Sequence, residues 1–353
     1  MTDPAAAAPG TDEVLDTHRF DVAALERYVA SRVEGFRGPM SVRQFRGGQS
    51  NPTYYVHTAS REYVLRRKPP GKLLPSAHAV DREYRVITAL AGTGVPAPKT
   101  YVLCEDPDVI GTAFYLMEYV RGRIMPDPRL PGMPPAERSA LYDSMNTVLA
   151  ALHSVDWQAV GLGDFGRTGA YVARQIHRWT QQYRASETER IEAMEHLIGW
   201  LPEHIPAEDE TTLVHGDFRL HNSVVHPKEP RIVAILDWEL STLGHPLSDL
   251  AYNCLPFRLP GDVFEGFAGQ VPEGIPTEEA YVAAYCKRTG RSGIPNWDYY
   301  LAFSMFRLSA IAQGIMGRVV AGTANDPNAR ARGARARPLA EQGWRVLETA
   351  GAV

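Results

Sequence analysis

The sequence predicts an α+β fold of two lobes, a small antiparallel sheet followed by a larger, mainly helical lobe. Three observations lead there. The 353 residues exceed what one compact core usually holds. Short β-prone runs crowd residues 41–119. Beyond residue 136, apolar residues recur at helical spacing and strands become short and few. Hydrophobic residues at 44% and charged residues at 22% exclude wholesale disorder.

The first dozen residues, rich in Ala, Pro and Gly, predict a disordered tail over 1–12 without the basic start and apolar run of a secretory signal. Asp21 ahead of Val22, Leu25, Val29 and Val33 predicts a capped amphipathic helix. Residues 41–45, 53–58 and 63–67 predict an antiparallel meander, its strands separated by a Gly-rich turn and by 59–61. Val80, Tyr84, Ile87 and Leu90 put a helix over 81–90, which Gly92 and Gly94 stop. Two further strands, 100–104 and 113–119, flank a turn-rich segment. Pro and Gly crowd 122–134, so the lobes are expected to divide near residue 120, into 13–120 and 121–353. In the second lobe, helices are predicted at 136–153, 168–185 and 187–201, then a short β region around 213–214, 223–225 and 232–236. Helices follow at 248–255, 278–289, 297–320 and 339–349, and no fixed-period repeat appears.

Several function classes fall away early. A net charge of -4 offers no global attraction to nucleic acid or anionic membranes. Cys104, Cys254 and Cys286 are odd in number and far apart, which excludes a disulfide framework or a CxxC zinc site and fits a reducing cytoplasm. The apolar stretch 301–320 is interrupted by Arg307, Gln313 and Arg318, so it reads as a buried helix and not a membrane span.

The segment that carries chemistry is His215-Gly216-Asp217-Phe218-Arg219-Leu220-His221-Asn222, which follows an apolar strand ending at Val214. Fifteen residues beyond Asn222, Asp237 stands within Ile235-Leu236-Asp237-Trp238-Glu239. Phosphoryl transfer from ATP needs a group that orients and deprotonates the acceptor hydroxyl, and oxygen ligands for Mg²⁺. Asp217 suits the first role as catalytic base; Asn222 and Asp237 suit the second as metal ligands. Singly, each has a plainer reading as a turn cap, a loop-satisfying amide and a strand end. Their joint spacing favours the chemistry. Zinc on His215 and His221 is disfavoured, because no HExxH or CxxC accompanies them.

These residues resemble the HGDxxxxN loop and strand-end Asp of the aminoglycoside phosphotransferase and choline kinase superfamily, relatives of the protein kinases. The resemblance spans roughly residues 40–320. Gly47-Gly48-Gln49-Ser50-Asn51-Pro52-Thr53-Tyr54, Tyr63-Val64-Leu65-Arg66-Arg67-Lys68-Pro69-Pro70 and Leu243-Gly244-His245-Pro246-Leu247-Ser248-Asp249-Leu250 are similar to a narrower branch, the kinase-like domain fused to certain acyl-CoA dehydrogenases. The resemblance implies a bilobal protein-kinase-like fold, with ATP and Mg²⁺ as cofactors. The N-terminal lobe would bind nucleotide, and the C-terminal lobe would carry catalysis and the substrate. Gly48, Ser50 and Asn51 would bring backbone amides to phosphate oxygens, although a Gly-Gly hairpin turn is the plainer reading. Val64, Arg66 and Lys68 share a strand face, and Arg66 would stand where the family's lysine meets the α and β phosphates, with Lys68 as its rival. Arg67 is expected to face solvent. Glu83 would pair with the strand cation; otherwise it is a surface carboxylate in a first helical turn. Glu118 and Val120 fall where the interlobe hinge binds adenine through backbone groups. His245 and Asp249 would support the catalytic loop, beside an N-cap at Ser248.

The expected partner is a small-molecule hydroxyl acceptor, with no nucleic acid and no membrane. From Trp297 onward four acidic residues face seven arginines, a balance unsuited to a polycationic aminoglycoside. Arg330, Arg332, Arg335 and Arg337 cluster there and would suit the phosphates of coenzyme A, or form a solvated basic loop. The branch resemblance points separately to a hydroxyacyl-CoA of the 4-hydroxyacyl type. An aminoglycoside kinase and a catalytically silent pseudokinase stay open. A protein kinase is disfavoured, because no Asp-Phe-Gly or Ala-Pro-Glu follows the catalytic loop.

Overall fold

The computed structural model describes residues 8–46, 51–69, 79–267, 269–324 and 326–353. Its small lobe contains β1 (Thr11–Asp12), α1 (Val22–Arg32), β2 (Ser41–Phe45), β3 (Thr53–His57), β4 (Glu62–Arg67), α2 (Val80–Ala89), β5 (Thr100–Cys104), α3 (Pro107–Ile110) and β6 (Phe114–Glu118). The larger remainder contains β7 (Arg123–Ile124), α4 (Pro135–His153), α5 (Tyr171–Ser186), α6 (Glu192–Trp200), β8 (Thr212–Val214), β9 (Ser223–Val225), β10 (Ile232–Ile235) and β11 (Thr242–Gly244). It ends with α7 (Pro246–Arg258), α8 (Gly261–Phe264), α9 (Glu278–Thr289), α10 (Trp297–Val320), α11 (Ala329–Gly333) and α12 (Ala336–Thr349). This is the predicted α+β architecture of two lobes.

The small lobe is one antiparallel sheet in the order β1-β2-β3-β4-β6-β5. Asp21 caps α1 by accepting a hydrogen bond from Ala24 N, and Leu25 and Val29 are buried under one face of the sheet. Each such aliphatic side chain contributes about 1.5–3 kcal/mol on full burial. Strand alternation sorts β4 cleanly. Tyr63 and Leu65 join the α1 core, while Val64 turns to the opposite face with α2 and the large lobe. Arg67 follows Tyr63 and Leu65, which corrects its expected exposure. It is buried, with its guanidinium 5.1 Å from the Phe20 ring centre and 5.9 Å from that of Tyr54.

The tail expected over 1–12 is corrected at its end only, since residues 1–7 lie outside the described residues. Thr11–Asp12 pairs with β2, Thr11 opposite Phe45, and Asp12 receives an ion pair from Arg46. An open sheet edge accepts any short extended segment, whatever its Ala- and Gly-rich neighbours suggest.

The large lobe gathers around α10, which packs on α5, α7, α11 and α12. Two of the three polar residues that interrupt its apolar run are buried with partners, Arg307 donating to Gly216 O at 2.6 Å and Gln313 to Ser186 O at 2.7 Å, while Arg318 is exposed. Among the described residues, no helix is long and apolar enough to cross a membrane. Two small antiparallel units, β10-β9-β7 and β11-β8, complete the large lobe, the first of them lining the cleft through Ile124, Val224 and Ile235. At the crossover from β6 to β7, Gly122 lies so close to β9 that a Cβ would stand 2.4 Å from Val225 O. A side chain there would push the hinge off the large lobe.

Candidate active site

β8 leads directly into His215, and the loop beyond it is held by its backbone. Asp249, on α7, accepts hydrogen bonds from His215 N at 2.7 Å and Gly216 N at 2.9 Å. Burial pushes the Asp249 carboxyl up, but His153 and the loop amides outweigh this and hold it below the usual carboxylate value. From the other side Arg307 donates to Gly216 O. Gly216 itself has φ +84°, and a Cβ would lie 2.8 Å from Leu240 O, so glycine is required there. His245 caps α7 by accepting from Leu247 N at 3.3 Å, with Pro246 in the first turn. This replaces the expected Ser248 cap by one three residues earlier and sets the start of the helix that carries Asp249.

Asp217 lies at the tip of this loop with both carboxylate oxygens engaged. The Tyr252 hydroxyl donates to Oδ1 at 2.5 Å, and Asn222 Nδ2 donates to Oδ2 at 2.8 Å. Burial first, and then the Asp217 charge, push the Tyr252 phenol far up, so it remains a donor. A carboxylate has about four acceptor positions, which leaves room for an incoming hydroxyl. The loop is tied to the next strand end as well. His215 Nε2 meets Leu236 O at 2.9 Å, and Leu236 N donates to Asn222 O at 2.8 Å. Pairing of β9 with β10 thus sets Asn222 beside the segment that ends in Asp237.

Asp237 has φ +64° and ψ +62°, a left-handed conformation that costs an ordinary residue about 1–3 kcal/mol and is kept where a site over-determines it. Arg66 reaches it from β4 across the cleft, with Nη2 2.8 Å from Asp237 Oδ1 and 3.4 Å from Glu239 Oε2. Its Nε lies 2.9 Å from Glu83 Oε2. Glu83 is only 1% exposed and therefore not a surface carboxylate; Asn51 Nδ2 and the Tyr115 hydroxyl also donate to it, at 2.8 and 3.1 Å. Burial pushes the Glu83 carboxyl up to about 7 against the pull of Arg66, and Asp237 and Glu239 add to the rise. The same three carboxylates hold the Arg66 guanidinium above its ordinary value despite its burial.

The sequence-derived residues separate accordingly. A cleft of about 670 Å³ between the sheet and the large lobe is lined by Val64, Arg66, the 117–120 crossover with Glu118 and Val120, Asn222 and Asp237. Lys68 points elsewhere, 3.6 Å from Asp81. Asn51 is fully buried on Glu83 and does not line the cleft. Gly48 and Ser50 lie outside the described residues. A second, smaller cavity is lined by Arg219, Tyr252, Glu265 and mainly apolar side chains; His221 lines both cavities, and Asp217 lines neither. None of Arg330, Arg332, Arg335 and Arg337 lines either one; Arg332 pairs with Asp326 at 3.1 Å and Arg337 with Glu189 at 2.7 Å.

Sequence reasoning missed Arg219, Tyr252, Tyr115 and Arg307 as members of the site. Tyr252 stands three residues after Asp249 and so shares its helix face, a signal that was available. Arg307 is 91 residues from its partner in the loop and carries no local signal.

The donor set fits a magnesium ion. Among the described residues, no group of three His, Cys, Asp or Glu side chains could hold a metal alone. One carboxylate and one amide oxygen suit Mg²⁺, which keeps several waters and borrows phosphate oxygens.

Residues 41–300 match the phosphotransferase enzyme family, APH. Mouse acyl-CoA dehydrogenase family member 10 is 50% identical over 341 residues, covering 95% of this chain and 32% of that protein. Rat acyl-CoA dehydrogenase family member 11 is 46% identical, covering 95% of the chain and 44% of that protein. The chain therefore spans less than half the length of these curated relatives. A crystal structure from Ralstonia eutropha, assigned provisionally to the aminoglycoside phosphotransferases, superimposes with a TM-score of 0.87 at 55% identity, covering 94% of this chain and 99% of that one. Choline kinase from Cryptosporidium parvum shares the fold at 11% identity, with a TM-score of 0.65 and coverage of 94% and 97%. A ternary complex of aminoglycoside phosphotransferase APH(4)-Ia with ADP and hygromycin B does so at 15% identity, with a TM-score of 0.59 and coverage of 92% and 98%. Matched over most of its length by the family and by relatives at about half identity, the chain belongs to the APH phosphotransferase enzyme family.

Proposed function

We propose that this chain transfers the γ-phosphoryl group of ATP to the hydroxyl of a small acceptor, with a hydroxyacyl-CoA as the favoured one. The observation that carries the reading is that Arg66, Asn222 and Asp237 line one cleft, with Arg66 on Asp237 and Asp217 held against Asn222. Asp217 receives the acceptor hydroxyl and takes its proton, held in aim by Tyr252 and Asn222. The acceptor oxygen forms a bond to phosphorus as the bond to the ADP oxygen breaks, with no covalent intermediate on the protein. Arg66, steadied by Glu83, supplies a fixed positive charge to the donor phosphates. Asp237 and the Asn222 amide oxygen would hold Mg²⁺, which neutralises phosphate charge when bound. The crossover through Glu118 and Val120 would seat the adenine, and the turn carrying Gly48 and Ser50 would cover the phosphates. Asn51, engaged by Glu83, would serve that carboxylate and not the nucleotide directly.

The acyl-CoA acceptor is supported by the names of the curated relatives, whose remaining length accompanies a domain like this one. The arginines at 330–337 lend it less support, since two are engaged by acidic neighbours. The test is ATP- and Mg²⁺-dependent ADP release with hydroxyacyl-CoA thioesters, free hydroxy acids, aminoglycosides and choline, beside Asp217→Asn, with products identified by mass. Thioester turnover that disappears in the variant is expected; turnover with an aminoglycoside alone overturns the acceptor.

A further inference from the structure

We propose that Arg219 selects the acceptor by binding a carbonyl or carboxylate oxygen a few bonds away from the hydroxyl that Asp217 receives. This rests on the phosphotransferase reading above and deepens it.

Arg219 follows Asp217 by two residues and lines the smaller cavity. Its Nε lies 3.4 Å from Asp217 Oδ1 yet is closed to solvent and makes no hydrogen bond. Among the described residues, the whole guanidinium donates none, although it carries five N–H donors. Arg66 and Arg307 share the unbonded Nε but differ at their terminal nitrogens, where Arg66 donates to Asp237 and Arg307 to Gly216 O.

The remaining polar groups of this cavity are largely engaged. Tyr252 donates to Asp217, Tyr142 to Pro128 O at 2.8 Å, and Asn253 bonds Phe218 O and the Tyr281 hydroxyl. Glu265 is the cavity's lone carboxylate; burial works against the Arg219 charge, and the Asp217 and Glu265 carboxylates favour it. Apart from His221, the rest of the wall is apolar, including Met145, Phe257 and Phe264. A guanidinium in ion contact with Asp217 but without a hydrogen bond, set in a largely apolar wall, favours an sp² oxygen, to which it can present parallel N–H groups. An ammonium group placed there would meet like charge. The enclosed space is only about 30 Å³, so it takes the reacting end of a molecule and requires hydroxyl and oxygen to be near neighbours. A short-range hydroxy acid or hydroxyacyl thioester meets these conditions, and a plain diol or a polyamine does not.

The experiment compares a 4-hydroxyacyl-CoA, the free 4-hydroxy acid and the matching 1,4-diol with wild type, Arg219→Gln and Arg219→Lys. In Arg219→Gln the preference in kcat/KM for acid or thioester over diol should fall about 10- to 100-fold, the worth of a charge-assisted hydrogen bond, mainly through KM, with partial recovery in Arg219→Lys. Equal losses of kcat on all three acceptors would mean that Arg219 only orients Asp217, and would overturn the proposal while leaving the phosphotransferase reading intact. If the wild type turns over none of the three but does phosphorylate an aminoglycoside, the acyl acceptor reading itself falls. Calorimetric binding of the free acid tests the contact without turnover, with melting temperature as the folding control; equal affinity in wild type and Arg219→Gln overturns it.

Discussion

The two sides of the cleft are held by opposite means. On the sheet side, Arg66 is shared among Glu83, Asp237 and Glu239, a balance of full charges that a proton or a competing cation can shift. On the helical side, the Asp217 loop is clamped through its backbone by Asp249 and Arg307, groups that touch no exposed charge of the loop. The side that would meet a highly charged, exchanging nucleotide is thus adjustable, and the side that must aim one proton acceptor is rigid. Electrostatic preorganisation needs both.

That contrast can be broken experimentally, beginning at the rigid side. Asp217→Asn should lower kcat by about 10²–10⁴-fold with little change in nucleotide KM, measured by coupled ADP release. Asp249→Ala leaves two loop amides without their acceptor and His153 Nε2 without its partner; it should cost about 3–5 kcal/mol in urea unfolding, with kcat falling in parallel. A loop that remained active and stable without Asp249 would remove the distinction between the two sides.

On the adjustable side smaller effects are expected. Arg66→Lys cannot bridge Glu83 and Asp237 at once and should raise the ATP KM about tenfold, while the acceptor KM stays nearly constant. Glu83, with its carboxyl pushed up to about 7, takes a proton as pH falls through neutrality, which frees Arg66 to withdraw toward Asp237 and Glu239. The ATP KM should therefore rise from pH 8 to pH 6 in wild type and be flat with pH in Glu83→Gln. Smallest of all, Arg332→Gln with Arg337→Gln removes only surface ion pairs, each worth about 0–1 kcal/mol, and should leave the acyl-CoA KM unchanged; a salt-sensitive rise would restore the phosphate role of that cluster.

Legibility followed the range of the interactions. Helix α1 was readable from Asp21 and its apolar spacing, because a cap acts within one turn. The strands β2 and β5 were read to the residue for the same local reason. The starts of α5 and α6 slipped inward, to Tyr171 and Glu192, where left-handed Ala170 and extended Ile191 precede the helix without a distinctive residue type. Arg67 and Arg66, adjacent and alike in sequence, take opposite fates because strand pleating sends one under α1 and the other into the cleft.

The sequence by itself determined the lobe order, the Asp217–Asn222–Asp237 spacing and the membership in a phosphotransferase class, since these depend on periodicity and on residue types at short separation. Only the tertiary structure decided which cation reaches the carboxylates, that Glu83 is buried, that Asn51 serves Glu83, and that Arg219 stands without a hydrogen-bonding partner beside Asp217. Those outcomes join residues up to 173 positions apart, as Arg66 and Glu239 are, and such contacts are set by how whole elements pack.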